Sequence, residues 1–101
     1  MTSGLLTDAE VAQALSEHPG WRRTDGAIVQ ELQMRDFDEA LRFVERVAAA
    51  AVDYERRPDM CISEYNRVRL TISNPHHIGI TPAERRLARK VDGLIDAVAH
   101  D

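Results

Sequence analysis

The chain has 101 residues, 44% of them apolar and 30% charged, with a net charge of −4. That fits one soluble domain, residues 1–101, and at this length a partner subunit helps, because folding buries only roughly 65% of the unfolded chain's surface. Interspersed charges exclude a basic nucleic-acid footprint, no apolar run reaches the ~20 residues of a membrane span, and the lone Cys61 excludes an intrachain disulfide.

The opening stretch MTSGLLTDAEV lacks the basic flank and apolar run of a signal peptide, so a cytoplasmic, reducing setting is expected. Thr7-Asp8-Ala9-Glu10 reads as a capping box, with Leu6 and Val11 as its hydrophobic staple. A short helix to about His18 should end at Pro19-Gly20. Trp21 to Thr24 and Ala27 onward flank Asp25-Gly26, a hairpin signal because a tight primed turn needs positive φ at both central residues. Ile28, Leu32 and Met34 share a strand face on which Gln30 is the misfit.

Asp36, with Glu39 three residues on, opens a second helix. Its apolar stripe is Phe37, Ala40, Leu41, Val44, Val47, Ala48 and Ala51, widened by Phe43. Pro58 stops it, and Arg57 before the proline is pushed toward extended backbone. Met60 to Glu64 reads as a third strand. Val68, Leu70 and Ile72 alternate with polar residues in a fourth. A loop over 73–79 precedes Thr81-Pro82-Ala83-Glu84, another helix start. Leu87, Ala88, Val91, Leu94, Ile95 and Val98 form the last stripe. The expected class is α+β, with helices packed on one face of an antiparallel sheet.

Particular stretches carry a resemblance. Gly20-Trp21, Asp36-Phe37 with Ala40, Tyr65-Asn66-Arg67-Val68 with Leu70-Thr71-Ile72-Ser73, Gly79-Ile80-Thr81, and Leu87-Ala88 with Val91-Asp92 are similar to the pterin-4a-carbinolamine dehydratase (4a-hydroxytetrahydrobiopterin dehydratase) family. The similarity covers nearly the whole chain. It implies a four-stranded antiparallel sheet with three helices on one face, in the order α-β-β-α-β-β-α. It also implies a homodimer or homotetramer and a carbon–oxygen lyase that dehydrates 4a-hydroxytetrahydropterin without metal or organic cofactor. The family signature resembles Glu-x-x-x-His-His-Pro after the second helix and Thr-His after the last strand, with the histidines doing the acid–base work.

This chain departs there. The His-His-Pro position reads Arg56-Arg57-Pro58, and the Thr-His position reads Asn74-Pro75, followed by His76-His77. Loss of hydroxide from a carbinolamine needs a proton donor and a base, tasks that suit histidine near neutral pH. Arginine stays protonated; it orients anions but shuttles no proton. His76 and His77 are therefore the catalytic candidates. Arg56, Arg57, Pro58, Asp59, Tyr65, Asn74 and Trp21 are the substrate-binding candidates. The plainer readings stand beside these: Arg56 and Arg57 as cations at a helix end, or paired with Asp59, His76 and His77 as exposed loop residues, Trp21 as core and Cys61 as a small strand residue. No His, Cys or Asp set has metal-ligand spacing.

Three functions fit these residues: a dehydratase-like lyase on a small pterin-like heterocycle, a repurposed enzyme acting on an anionic biosynthetic intermediate, or a non-catalytic dimeric binding or assembly factor. Fold alone does not choose among them.

Overall fold

The structure, a computed structural model, describes residues 5–18, 20–24, 26–54, 56–73 and 80–99. Its elements run α1 (Asp8–Glu17), β1 (Trp21–Thr24), β2 (Ala27–Gln33), α2 (Phe37–Asp53), β3 (Asp59–Ser63), β4 (Arg67–Ser73) and α3 (Pro82–Ala99). The four strands form one antiparallel sheet in the order β1-β2-β4-β3, which is the expected α+β architecture.

The helix starts are where the side-chain chemistry puts them. Glu10 donates its backbone N–H to Thr7 Oγ1 at 3.1 Å, and Thr7 N–H returns a bond to Glu10 Oε1 at 2.9 Å, a complete capping box. At α2, Asp36 Oδ1 accepts from Glu39 N–H at 2.8 Å, but the Glu39 carboxylate takes the N–H of Arg35, not that of Asp36. The second half of that box is displaced by one residue. At α3 the roles change again. Glu84 Oε1 accepts both the backbone N–H of Thr81, at 2.6 Å, and its hydroxyl, at 2.5 Å.

The sheet alternates as a half-buried sheet should. Val68, Leu70 and Ile72 of β4 face the helices and are buried, while Arg67, Arg69 and Ser73 are exposed. Ile28 and Gln30 of β2 lie on the same inner face, in register with Ile72 and Leu70. Cys61 is a small residue of strand β3, as expected, in register with Arg69 on the outer face and exposed. Thr24 pairs with Ala27, leaving a two-residue turn; Asp25 of that turn lies outside the described residues.

On α2 the buried side chains are Ala40, Phe43, Val47, Ala50 and Ala51. The stripe is turned relative to the expectation, so Phe37 and Leu41 are exposed. Phe43 occupies the centre of the buried face instead of its edge. Leu87, Ala88 and Val91 of α3 complete the core with α1's Val11. Asn66 closes the lower end of the sheet, donating from Nδ2 to Met34 O at 2.9 Å and accepting Met34 N–H at 2.7 Å.

Candidate functional site

The stretch Arg56-Arg57-Pro58 joins α2 to β3. Arg56 turns back onto the helix end, donating its backbone N–H to Ala51 O at 2.9 Å, which satisfies one of the carbonyls a helix leaves unpaired. Its side chain goes the other way, inward. Arg56 Nε donates to Glu84 Oε2, and Glu84 is fully buried. A carboxylate removed from water is sustained only by full pairing. Glu84 has that pairing from Arg56 on one oxygen and from the Thr81 N–H and O–H on the other. One side chain therefore ties the α2–β3 connection to the start of α3.

Arg57 is exposed and has no ion-pair partner among the described residues. Pro58 is half-buried. Asp59, in register with Thr71, is exposed and pairs with neither arginine among the described residues, so the acid that Arg56 meets is Glu84.

Two other binding candidates lie elsewhere. Tyr65 is in the turn between β3 and β4, beyond Ser63–Arg67 and so at the opposite end of the hairpin from Asp59. It is 66% exposed. Glu64 and Tyr65 both have positive φ, 48° and 59°, a left-handed turn built without glycine or asparagine. Trp21 is buried at 4% exposure and belongs to a separate polar cluster. Its Nε1 donates to Asp92 Oδ1 at 2.8 Å, Gln30 Nε2 donates to the same oxygen at 3.3 Å, and His18 Nδ1 meets Oδ2. Eight residues of α3, about 12 Å at helical rise, separate Asp92 from Glu84. The structure thus joins Arg56 to the α3 start, with Arg57, Pro58 and Asp59 following it in the chain, while Trp21 bonds to Asp92 and Tyr65 lies at the far turn of the β3–β4 hairpin. His76, His77 and Asn74 lie outside the described residues.

The residues that organise both clusters were present in the sequence under other descriptions. Glu84 stands three and four residues before Leu87 and Ala88, on the buried stripe of α3, where a carboxylate is out of place unless paired. Gln30 is its counterpart on the inner face of β2, and its partner is Asp92. Gly20 leaves the room this arrangement needs: a Cβ there would stand 1.9 Å from Gln30 Oε1. Among the described residues no group of three His, Cys, Asp or Glu side chains could hold a metal ion, and no helix is long and apolar enough to cross a membrane.

The family model described as pterin 4 alpha carbinolamine dehydratase matches residues 4–94. A protein of Thermomicrobium roseum is 42% identical over 88% of this chain and 95% of its own length; its assignment as a pterin-4-alpha-carbinolamine dehydratase is itself inferred. A Metallosphaera sedula protein of the same inferred assignment is 35% identical over 88% of this chain and 92% of its own. Among solved structures, a transcriptional coactivator/pterin dehydratase from Brucella melitensis superposes with a TM-score of 0.83 at 28% identity, covering 89% of this chain and 97% of that one. A pterin dehydratase-like protein identified as a RuBisCO assembly factor in the alpha-carboxysome gives 0.60 at 17% identity, covering 73% of this chain and 84% of that one, a likeness of fold. A match across nearly the whole length, in sequence and in fold, makes this chain a member of the pterin-4a-carbinolamine dehydratase family.

Proposed function

We propose that this protein is a carbon–oxygen lyase that dehydrates a pterin-like heterocycle, with its proton transfers moved to His76 and His77. The observation that carries this reading is the Arg56–Glu84 pair. It brings the α2–β3 connection against Thr81, and Ile80 is fixed beside it by the bond from Leu6 N–H to Ile80 O at 2.7 Å. His77 is three residues before Ile80 in the chain, so the stretch that carries both histidines leads directly into that anchor. Arginine side chains orient anions and do not shuttle protons. His18, the histidine among the described residues, is already held by Asp92. The histidines of the loop before α3 are then the groups with a suitable proton affinity.

In this mechanism one loop histidine protonates the departing hydroxyl. The other accepts the ring N–H proton, and water leaves as the C=N bond forms. Arg57 orients the substrate through its N–H donors, with Pro58 and Asp59 shaping the approach. No metal or organic cofactor is required, because the ring nitrogen's own electron pair expels the hydroxide. The working form in this reading is a cytoplasmic homodimer or homotetramer. The unpaired outer edges of β1 and β3 and the outward Phe37 and Leu41 support self-association.

The exposed Arg57, without an ion-pair partner among the described residues, favours a second reading, in which the same site takes an anionic biosynthetic intermediate. The test is an assay with 4a-hydroxytetrahydropterin generated in place, timing the ultraviolet change against the uncatalysed rate. Acceleration lost in His76→Ala or His77→Ala supports the lyase. No acceleration by the wild-type protein rejects it and leaves the anionic substrate, or a binding or assembly role, to be tested.

A further inference from the structure

The two adjacent arginines differ sharply in surroundings. Arg56 is half-buried, and its guanidinium meets a carboxylate with no exposure at all. Arg57, one residue on, is exposed and has no ion-pair partner among the described residues. A buried Glu–Arg pair in contact cancels most of its charge as seen from outside, whereas a lone exposed guanidinium presents its full charge and its fork of donors.

Glu84 is also locked in place. Its helix position is set by the apolar stripe of Leu87, Ala88 and Val91, and its other oxygen is held by Thr81. Arg56 therefore has one geometry available, and Pro58 limits the backbone freedom of Arg57 between them.

We infer that Glu84 is a positioning residue for this site: it consumes the charge of Arg56 and sets the Arg56–Pro58 connection against the α3 start, so that Arg57 alone reads a ligand's charge. This deepens the anionic-substrate reading of the proposed site and rests on that site for the ligand's identity. The ligand class is a heterocycle carrying one negative group, such as a carboxylate, matched to the Arg57 guanidinium, which has no ion-pair partner among the described residues.

The experiment is calorimetric titration of the full chain at pH 7 with two probes, unsubstituted pterin and pterin-6-carboxylate. The readout is the ratio of their affinities. General loosening of the fold weakens both and leaves the ratio alone; a change in which arginine reads charge moves it. Wild type should prefer the carboxylate about tenfold or more, the scale of one charge-assisted contact. Arg57→Gln should abolish the preference, and Arg56→Gln should keep it. Glu84→Gln should remove the buried carboxylate that faces Arg56 and raise the preference at least about threefold; Arg56→Gln carries the test if Glu84→Gln does not fold. Loss of the preference in Arg56→Gln with retention in Arg57→Gln overturns the inference. So does a wild-type protein that binds both probes equally.

If wild type binds neither probe, the pterin reading fails, and inorganic phosphate decides the charge assignment separately. A rise in melting temperature with phosphate that Arg57→Gln removes and Arg56→Gln retains supports the assignment. The reverse pattern, or no effect of phosphate on wild type, overturns it.

Discussion

Arg56 and Glu84 lie 28 residues apart in the chain, and their side chains meet where α2 hands over to β3 and where α3 begins. Glu84 is the most deeply buried charge among the described residues. Removing one partner of a buried pair leaves the other charge unpaired and typically costs about 3–5 kcal/mol. Glu84→Ala should therefore lower unfolding free energy by about that much in urea titration. Replacing Arg56 and Glu84 together with methionines of similar reach should recover a large part of it. A cost below about 1 kcal/mol for Glu84→Ala would show that the pair is not a structural tie.

Arg57→Ala should change stability by no more than about 1 kcal/mol, because an exposed side chain without an ion-pair partner among the described residues has little to lose. Its effect should be read in ligand binding alone. Equal urea midpoints with different binding would separate the two arginines cleanly; a large stability loss would make Arg57 structural.

The protein has a single tryptophan, so Trp21 reports on its own surroundings. Asp92→Ala removes the acceptor for Trp21 Nε1 and Gln30 Nε2 and the partner of His18. Buried donors left without an acceptor cost about 1–3 kcal/mol each. The variant should be destabilised on that scale, with Trp21 emission shifted to the red as water replaces the carboxylate. Unchanged emission would mean that the carboxylate contact is absent in solution.

Glu64 and Tyr65 hold positive φ without the residues that tolerate it. A non-glycine residue in that region costs roughly 1–2 kcal/mol, and asparagine pays the least among the alternatives with a side chain. Tyr65→Asn should stabilise the fold by about 0.5 kcal/mol or more in thermal unfolding. If the same variant also loses ligand affinity, Tyr65 acts at the site despite its distance along the hairpin from Asp59, through a partner subunit.

The backbone N–H of Glu39 holds the Asp36 carboxyl below its usual range, with Arg35 adding to the effect. A pKa that is lower folded than unfolded means the cap contributes fully above the unfolded value and is lost as pH falls through the folded one. The stability gap between wild type and Asp36→Ala should thus be full at pH 7 and shrink below about pH 4. A gap constant down to pH 2 would assign the effect to something other than this carboxylate.

The sequence by itself determined the helix starts, the strand alternation of Val68, Leu70 and Ile72, and the class of fold, because each depends on neighbours within a turn or on a period of two. The family was legible too, since its signature pieces recur along nearly the whole chain. Glu84 illustrates the limit: three residues of local sequence explain its bond to Thr81, and none explains Arg56. The same holds for Gln30, which looked out of place on its strand until Asp92, from the last helix, supplied the acceptor. Trp21 and Tyr65 were grouped with Arg56–Asp59 by resemblance, and only the packing of β1 beneath α3 and the length of the β3–β4 hairpin put them apart. Which arginine faces inward, which face of α2 is buried and which carboxylate meets which donor are long-range pairings. They are decided by the burial of charge in a shared core, a quantity that exists only once the helices and the sheet have come together.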